Sequence, residues 1–411
     1  MNAEIIGIGT ELLLGQITNT NARDISAALA AIGVDIHRHT AVGDNLDRIV
    51  DAVKEATRRA DVVILTGGLG PTPDDITRGA VAAVFGRRLI RDERVVDELR
   101  EFYERRGRAM PAANVQQADL PEGAVAIPAE GTAPGFYVDE ESSLVIAVPG
   151  VPWEMRAMLE KTVLPLLEAR SGKAVTLSRQ VLVAGVGESN VHELIADVVE
   201  EQTNPTIAFL AGHGLVRVRV TAKAADEHAA LALIEPVEAR IRDRLGDTAV
   251  ASAGIDLAVV VGDLARARKA TVATAESITG GLIGAELTTA PGASDFFVGA
   301  LVAYTIAAKR DALGVDEAIL ERYGPVSQQT AAAMAARAAR VFGADLGLSA
   351  TGVAGPDAHD GHPVGTIYVG ASWRGASEAR HIRGYGDRGN MRGIAVTAAL
   401  DLGRRFLERG G

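Results

Sequence analysis

The stretch Thr66-Gly67-Gly68-Leu69-Gly70-Pro71-Thr72-Pro73-Asp74-Asp75-Ile76-Thr77 packs three glycines, two prolines and two carboxylates into twelve residues. It follows the apolar run Asp61 to Leu65 and precedes apolar residues at helical spacing from Asp75 to Phe85, so it joins a strand to a helix. Three glycines in four residues let backbone N–H groups approach a phosphate closely, and the helix N-terminus behind them adds its dipole. The alternative is turn chemistry alone, with Thr72 as N-cap, Pro73 at N1 and Asp75 at N3. Capping accounts for Thr72 to Asp75 but not for Gly67, Gly68 and Gly70. The neighbouring carboxylates Asp74 and Asp75 would repel a phosphate, so a ligand there implies a bridging divalent cation, Mg2+ or similar. Asp44, in a Val-Gly-Asp-Asn turn, is either a further metal-facing carboxylate or a helix cap.

Outward from this loop, strand-like runs at Ala3 to Ile8, Val34 to Thr40, Asp61 to Leu65 and Leu144 to Val148 alternate with amphipathic helical stretches. Such alternation predicts an α/β domain with a mostly parallel sheet and functional loops at the strand C-termini. A helix from Val151 to Leu167 closes it, Ala169 to Lys173 is the expected linker, and the domain is residues 1–170. Gly7-Ile8-Gly9-Thr10-Glu11 invites a dinucleotide fingerprint, but the third glycine is replaced by Leu12. No phosphate-loop motif of the G-x-x-x-x-G-K-[ST] type occurs. Residues 171–252 form a small α+β module, with a strand at Val175 to Ala184 and an alternating strand at Val216 to Lys223. Residues 253–411 return to alternating strands and helices.

The 411 residues carry 42 Lys and Arg against 53 Asp and Glu, a formal net charge of −11. That balance lacks the broad cationic field of non-specific nucleic-acid binding. Absence of cysteine excludes disulfides, thiolate nucleophiles and Cys-ligated zinc. No apolar run reaches membrane-spanning length, and Glu4 and Glu11 replace the basic start of a secretory signal. The expectation is a soluble, cytoplasmic, multidomain protein without direct DNA, RNA or membrane binding.

In the last domain, Ala275-Glu276-Ser277-Ile278-Thr279-Gly280-Gly281 joins a strand to a helix. Ser294, Tyr304, Lys309 and Thr351-Gly352 follow, then Gly386-Asp387-Arg388. A serine hydroxyl needs a base, and a desolvated lysine provides one because burial lowers its pKa. With no cysteine and no His triad order, a Ser–Lys pair is the most economical nucleophilic site. Singly, Ser277 or Thr279 caps a helix and Lys309 is a surface lysine.

The segments Gly9 to Ala22 (GTELLLGQITNTNA), Thr66 to Arg78, Gly131 to Phe136 (GTAPGF) and Pro149 to Met155 (PGVPWEM) together resemble the CinA family. The resemblance implies a MoaB/MogA-like three-layer N-terminal domain, of the molybdopterin-binding type, associated with metal-dependent ADP-ribose pyrophosphatase activity. Its ligand residues would be Thr10, Glu11, Gly67, Gly68, Leu69, Gly70, Thr72 and Asp74, with Asp75 and Asp44 toward the metal. The middle module is similar to a KH-like domain. Gly185-Val186-Gly187-Glu188 places an acid where a nucleic-acid backbone would lie, and Ala211-Gly212-His213-Gly214 is too short for a binding loop, so a structural connector is expected. From about Leu257 the chain resembles the CinA C-terminal domain, a nicotinamide mononucleotide (NMN) deamidase that needs no cofactor. Carried over residue by residue, Ser294 is the nucleophile, Lys309 the base and Tyr304 a relay, while Ser277 and Thr351 position the amide. Thr279, Gly280, Gly281, Gly352 and Arg388 or Arg392 hold the substrate and its phosphate. The family suggests a homodimer, and its name leaves open a competence or DNA-damage binding role, or a pterin-binding relic in the first domain. The sequence departs from the family pattern at Ile278, Ala300 and Ile306, where Cys, Gly and Asn are usual.

Overall fold

The computed structural model describes residues 1–140, 143–171, 175–250 and 256–409. It divides into two compact units, Met1–Leu177 with Lys223–Leu231, and Ser178–Ala222 with Ala232–Gly411. The expected linker is helical as far as Ser171; the rest of it, and the boundary at 252–253, lie outside the described residues.

In the first unit the strands are β1 (Asn2–Ile8), β2 (Asp35–Val42), β3 (Val62–Thr66), the short pair β4 (Leu89–Arg91) and β5 (Asp119–Pro121), then β6 (Val125–Ile127), β7 (Gly135–Glu140) and β8 (Ser143–Val148). The main sheet runs β2-β1-β3-β8-β7-β6, parallel through β8 and antiparallel beyond it. Alternation along these apolar strands sends residues into two cores. Ile6, Ile8, Val63, Leu65, Val145 and Ala147 enter one, and Ile5, Val62, Ile64, Leu144, Ile146 and Val148 the other. A sheet buried on both faces with helices outside is the expected three-layer α/β arrangement. The chain leaves β1 for β2 on one side and reaches β3 on the other, so the crevice at the C-termini of β1 and β3 is a topological switch point. Strands β4 to β7 escape a sequence reading because three have only three residues and no measurable periodicity.

The middle segment supplies β9 (Val175–Ala184), β10 (Thr206–Gly212) and β11 (Leu215–Ala224), in the order β10-β11-β9, with the long helix Glu227–Leu245. Leu182, Ala184, Leu215 and Val250 share one apolar core with Leu257, Val261, Ile394 and Leu400, so most of this module packs into the second unit.

The C-terminal sheet comprises β12 (Val272–Glu276), β13 (Phe297–Val302), β14 (Leu346–Gly352), β15 (Thr366–Trp373) and β16 (Ala376–Arg383), ordered β13-β12-β14-β15-β16. β13, β12 and β14 are parallel, and the last two strands antiparallel. The Ala-rich helix Gln328–Phe342 covers the sheet; Ser327 Oγ caps it by accepting from Thr330 N at 3.1 Å, and Gly343 ends it at φ 64°. The helix Arg388–Arg409 lies over β14 and β15, burying Ile394, Ala399 and Leu407. Among the described residues no helix is long and apolar enough to cross a membrane.

Candidate functional site

Register fixes the C-terminal site. Glu276 on β12 pairs with Val302 on β13 and Ala350 on β14, so the residues just beyond these strands meet at one sheet edge. Ser277, Tyr304 and Thr351 therefore line one pocket of about 660 Å³, with Ile278, Ile306, Lys309, Gly352 to Pro356 and Arg388. Lys309, on a π-helical turn after Tyr304, is only 2% exposed. Its Nζ lies 2.9 Å from Ser277 Oγ, 3.1 Å from the Ala303 carbonyl and 3.4 Å from the Tyr304 carbonyl. Those acceptors satisfy the three N–H groups of the ammonium form. In the neutral amine, two N–H groups serve the carbonyls and the lone pair faces the serine hydroxyl. Desolvation draws the lysine down from 10.5 to about 8.

Ser294 is not part of this group. It lies in the turn Ala293–Asp295 ahead of β13, where Phe297 pairs with Val272 at the start of β12, while Ser277 follows the end of β12. The two serines occupy opposite edges of the sheet, about 17 Å apart at ~3.3 Å per strand residue. The expected Ser294–Lys309 pair is therefore not formed within this chain; the serine hydrogen-bonded to the lysine is Ser277.

The expected phosphate cradle at Thr279-Gly280-Gly281 is corrected as well. The buried Glu276 carboxylate accepts from the backbone N–H groups of Gly281 (2.8 Å), Ile283 (3.0 Å) and Gly284 (2.8 Å), so the donors at this short helix start already hold an internal anion. Arg392 donates to the Ile278 and Thr279 carbonyls at 3.2 and 2.8 Å and fastens the turn from behind. The Thr351 hydroxyl donates to the Pro325 carbonyl at 2.8 Å, bracing the wall and not facing an amide. Arg388 does reach the pocket, donating to the Gly355 carbonyl at 2.8 Å and to Tyr304 Oη at 3.0 Å. Tyr304 is 58% exposed and keeps its own O–H free to donate. Glu276 went unread in the sequence, although a carboxylate five residues ahead of a Gly-Gly helix start is the signal that finds it. Replacing Glu276 by Ala should cost about 3 kcal/mol or more, since three N–H groups, two of them buried, lose their carboxylate acceptor; the unfolding transition of the second unit measures it.

In the first unit, a cavity of about 390 Å³ lies at the switch point, lined by Gly9, Glu11, Asp44, Gly67 to Pro71, Asp74, Asp75, Thr132, Gly150 and Glu154. Gly67 sits at φ 111°, and a Cβ there would meet the Ile8 carbonyl oxygen at 2.3 Å, so only glycine lets β1 and the loop approach so closely. Buried Arg78 donates to the Leu69 and Gly70 carbonyls, and Gln117 Nε2 to that of Leu69. Among the described residues, the N–H groups of Gly68, Leu69 and Gly70 have no protein partner. The loop thus has its acceptors committed and its donors open. Thr72 is not the expected N-cap: the helix starts at Thr77, and Asp75 Oδ2 turns back to accept from Thr72 N at 2.8 Å and from its hydroxyl. Hydrogen bonding to Thr72 lowers the pKa of Asp74. Asp44 Oδ2 accepts from the backbone N–H and hydroxyl of Thr10, both at 2.8 Å, while Asn45 caps the following helix.

Thr10 and Thr72 are therefore holders of carboxylates, and Glu11, Asp44, Asp74 and Asp75 share the cavity with the glycine loop. Glu154, unread in the sequence, adds a carboxyl that is 4% exposed, with Oε1 3.3 Å from Thr132 N and no partner for Oε2; burial raises its pKa. Open donors ringed by carboxyls fit a phosphate that arrives with a divalent cation. No group of three or more His, Asp or Glu among the described residues is placed to hold a metal alone.

Comparison with known proteins matches three segments of the chain. Residues 4–169 match the "Probable molybdopterin binding domain" family, residues 178–251 the "Damage-inducible protein CinA KH domain" and residues 255–407 the "CinA C-terminal domain". A CinA-like protein of Frankia casuarinae is 46% identical over 417 residues, covering 99% of this chain and 96% of its own. A putative competence-damage inducible protein of Clostridium beijerinckii is 42% identical over 409 residues, covering 99% and 100%. The solved structure of CinA from Thermoplasma acidophilum is 35% identical, covers 39% of this chain and 95% of its own, and gives a TM-score of 0.37. With three family matches in one order and relatives similar from end to end, the chain belongs to the CinA family.

Proposed function

We propose that the C-terminal pocket hydrolyses the carboxamide of NMN to nicotinic acid mononucleotide and ammonia, and that the N-terminal cavity cleaves the pyrophosphate of ADP-ribose to AMP and ribose 5-phosphate. The observation that carries the first reading is the buried Lys309–Ser277 hydrogen bond of 2.9 Å lining a pocket of mononucleotide size. Neutral Lys309 Nζ takes the Ser277 proton as Oγ attacks the carboxamide carbon. The same proton passes to the departing nitrogen as the C–N bond breaks, ammonia leaves, and an ester remains on Ser277. Water then attacks the ester, gives its proton to Nζ, and Ser277 recovers it as the acid departs. Tyr304 donates to the carbonyl oxygen, and Arg388, beside it, pairs with the 5′-phosphate. Ammonia release from NMN by the purified chain, undiminished by chelator, tests this reading; no release from NMN rejects it.

The pH dependence follows from Lys309. Only its neutral form accepts the proton, so kcat/KM should rise about tenfold per pH unit below pH 8 and level off above it. A flat profile between pH 6 and 9 would remove Lys309 as base. Stability moves the same way: the unfolded chain binds this proton up to 10.5 and the folded chain only to about 8. Raising the pH through that window therefore favours the fold, by about 3 kcal/mol.

At the N-terminal cavity, a divalent cation held by Asp75 and Asp44 together with ligand oxygens and water would neutralise the pyrophosphate and make its phosphorus more electrophilic. The open N–H groups of Gly68 to Gly70 bind a phosphate, and Thr10 and Thr72 keep the two carboxylates in place.

A further inference from the structure

The C-terminal helix gathers the deamidase pocket from its first two turns. Arg388 ties the 355 loop to Tyr304, and Arg392, one turn on, ties the 278–279 turn that follows Ser277. On the adjacent face of the same turns, the β10–β11 hairpin of the middle module is seated. His213, at the hairpin tip, adopts φ 52°, a left-handed conformation costly for a residue with a Cβ. Its ring lies so close that a Cβ on Gly393 would meet Cγ, Cδ2 and Nδ1 at 2.6 to 3.0 Å. A Cβ on Gly214 would lie 3.7 Å from the Ile394 side chain, and Leu215 enters the core shared with that isoleucine. The hairpin therefore touches the residues directly after Arg392.

We infer that this hairpin is a positioning element of the C-terminal site: His213 and Gly214 set the first turns of the helix and thereby aim Arg388 and Arg392. On this account the middle module is more than a connector, because the pocket's phosphate side is only as ordered as the hairpin beneath it. The catalytic claim rests on the deamidase reading; the mechanical one does not.

The test uses the full chain with Gly393→Ala, His213→Ala and the double variant. NMN kinetics and amide hydrogen exchange of residues 277–281 and 386–394 are measured on each. In Gly393→Ala the new methyl pushes against the imidazole. KM for NMN should rise about tenfold, with a smaller fall in kcat through the Arg392 and Arg388 contacts to the 278–279 turn and Tyr304, and exchange should quicken in both segments. Removing the ring in the double variant makes room for the methyl and should return most of the KM and slow the exchange again. A loss of folded molecules would instead lower kcat without moving KM. Unchanged KM and exchange in Gly393→Ala, or a defect that His213→Ala does not relieve, overturns the proposal. Should Gly393→Ala fail to fold, His213→Ala decides alone: about threefold higher KM and faster exchange support the hairpin's role, and wild-type values refute it. If the wild-type chain releases no ammonia from NMN, the deamidase reading falls, and hydrogen exchange by itself still decides whether the hairpin orders the helix start.

Discussion

Ser277→Ala should lower kcat for ammonia release from NMN by about 10³ or more, while Ser294→Ala stays within about twofold of the unmodified chain. The contrast follows from one hydrogen bond and one register. Ser277 Oγ is the hydroxyl within 2.9 Å of Lys309, and removing it deletes the atom that would carry the ester. Lys309 keeps two carbonyl acceptors in that variant, at 3.1 and 3.4 Å, so the fold should survive and the loss belong to chemistry. Ser294 stands ahead of the start of β13, with a strand's length between it and the lysine. Rate measurements paired with thermal unfolding check both variants. Full turnover in Ser277→Ala with its loss in Ser294→Ala would return the nucleophile to Ser294 and require a second chain to supply it.

Asp75→Asn should reduce ADP-ribose hydrolysis by orders of magnitude, as should chelation of divalent cations in the unmodified protein. An asparagine oxygen can still accept from Thr72 N, so the turn should lose no more than about 1 kcal/mol. What it removes is the negative charge that a cation needs between the glycine loop and a pyrophosphate. The proposed NMN deamidation should be untouched, because Ser277, Lys309 and Arg388 all belong to the other compact unit. Full ADP-ribose hydrolysis in chelator or in Asp75→Asn would leave Asp75 as a turn residue and nothing more.

Much of the scaffold was legible because its signals are local. The runs at Ala3 to Ile8 and Leu144 to Val148 have no polar interruption, which suits strands buried on both faces, and they are β1 and β8. The glycine loop was legible as a strand-to-helix turn for the same reason, since its glycines set the path of their own backbone. The serine assignment was not, because it depends on register: sequence spacing puts Ser294 nearer to Lys309, but a parallel strand carries the chain across the sheet between them. The Thr279–Gly281 turn misled in another way. Its glycines do mark a helix start open to an anion, and the anion is Glu276, a choice made by burial and invisible in composition. Glu154 likewise gains meaning only where the Pro149 to Met155 and Gly131 to Phe136 segments fold against each other.

The three acceptors around Lys309 have one more consequence. Since they serve the ammonium and the amine alike, charging the lysine asks for no movement of the walls and no entry of water. In the proposed deamidation the pair would then act as a local proton reservoir. The equivalent drawn from Ser277 is the one that leaves with ammonia, and the equivalent drawn from water is the one that restores the hydroxyl. Neither half-reaction has to wait on exchange with the buffer.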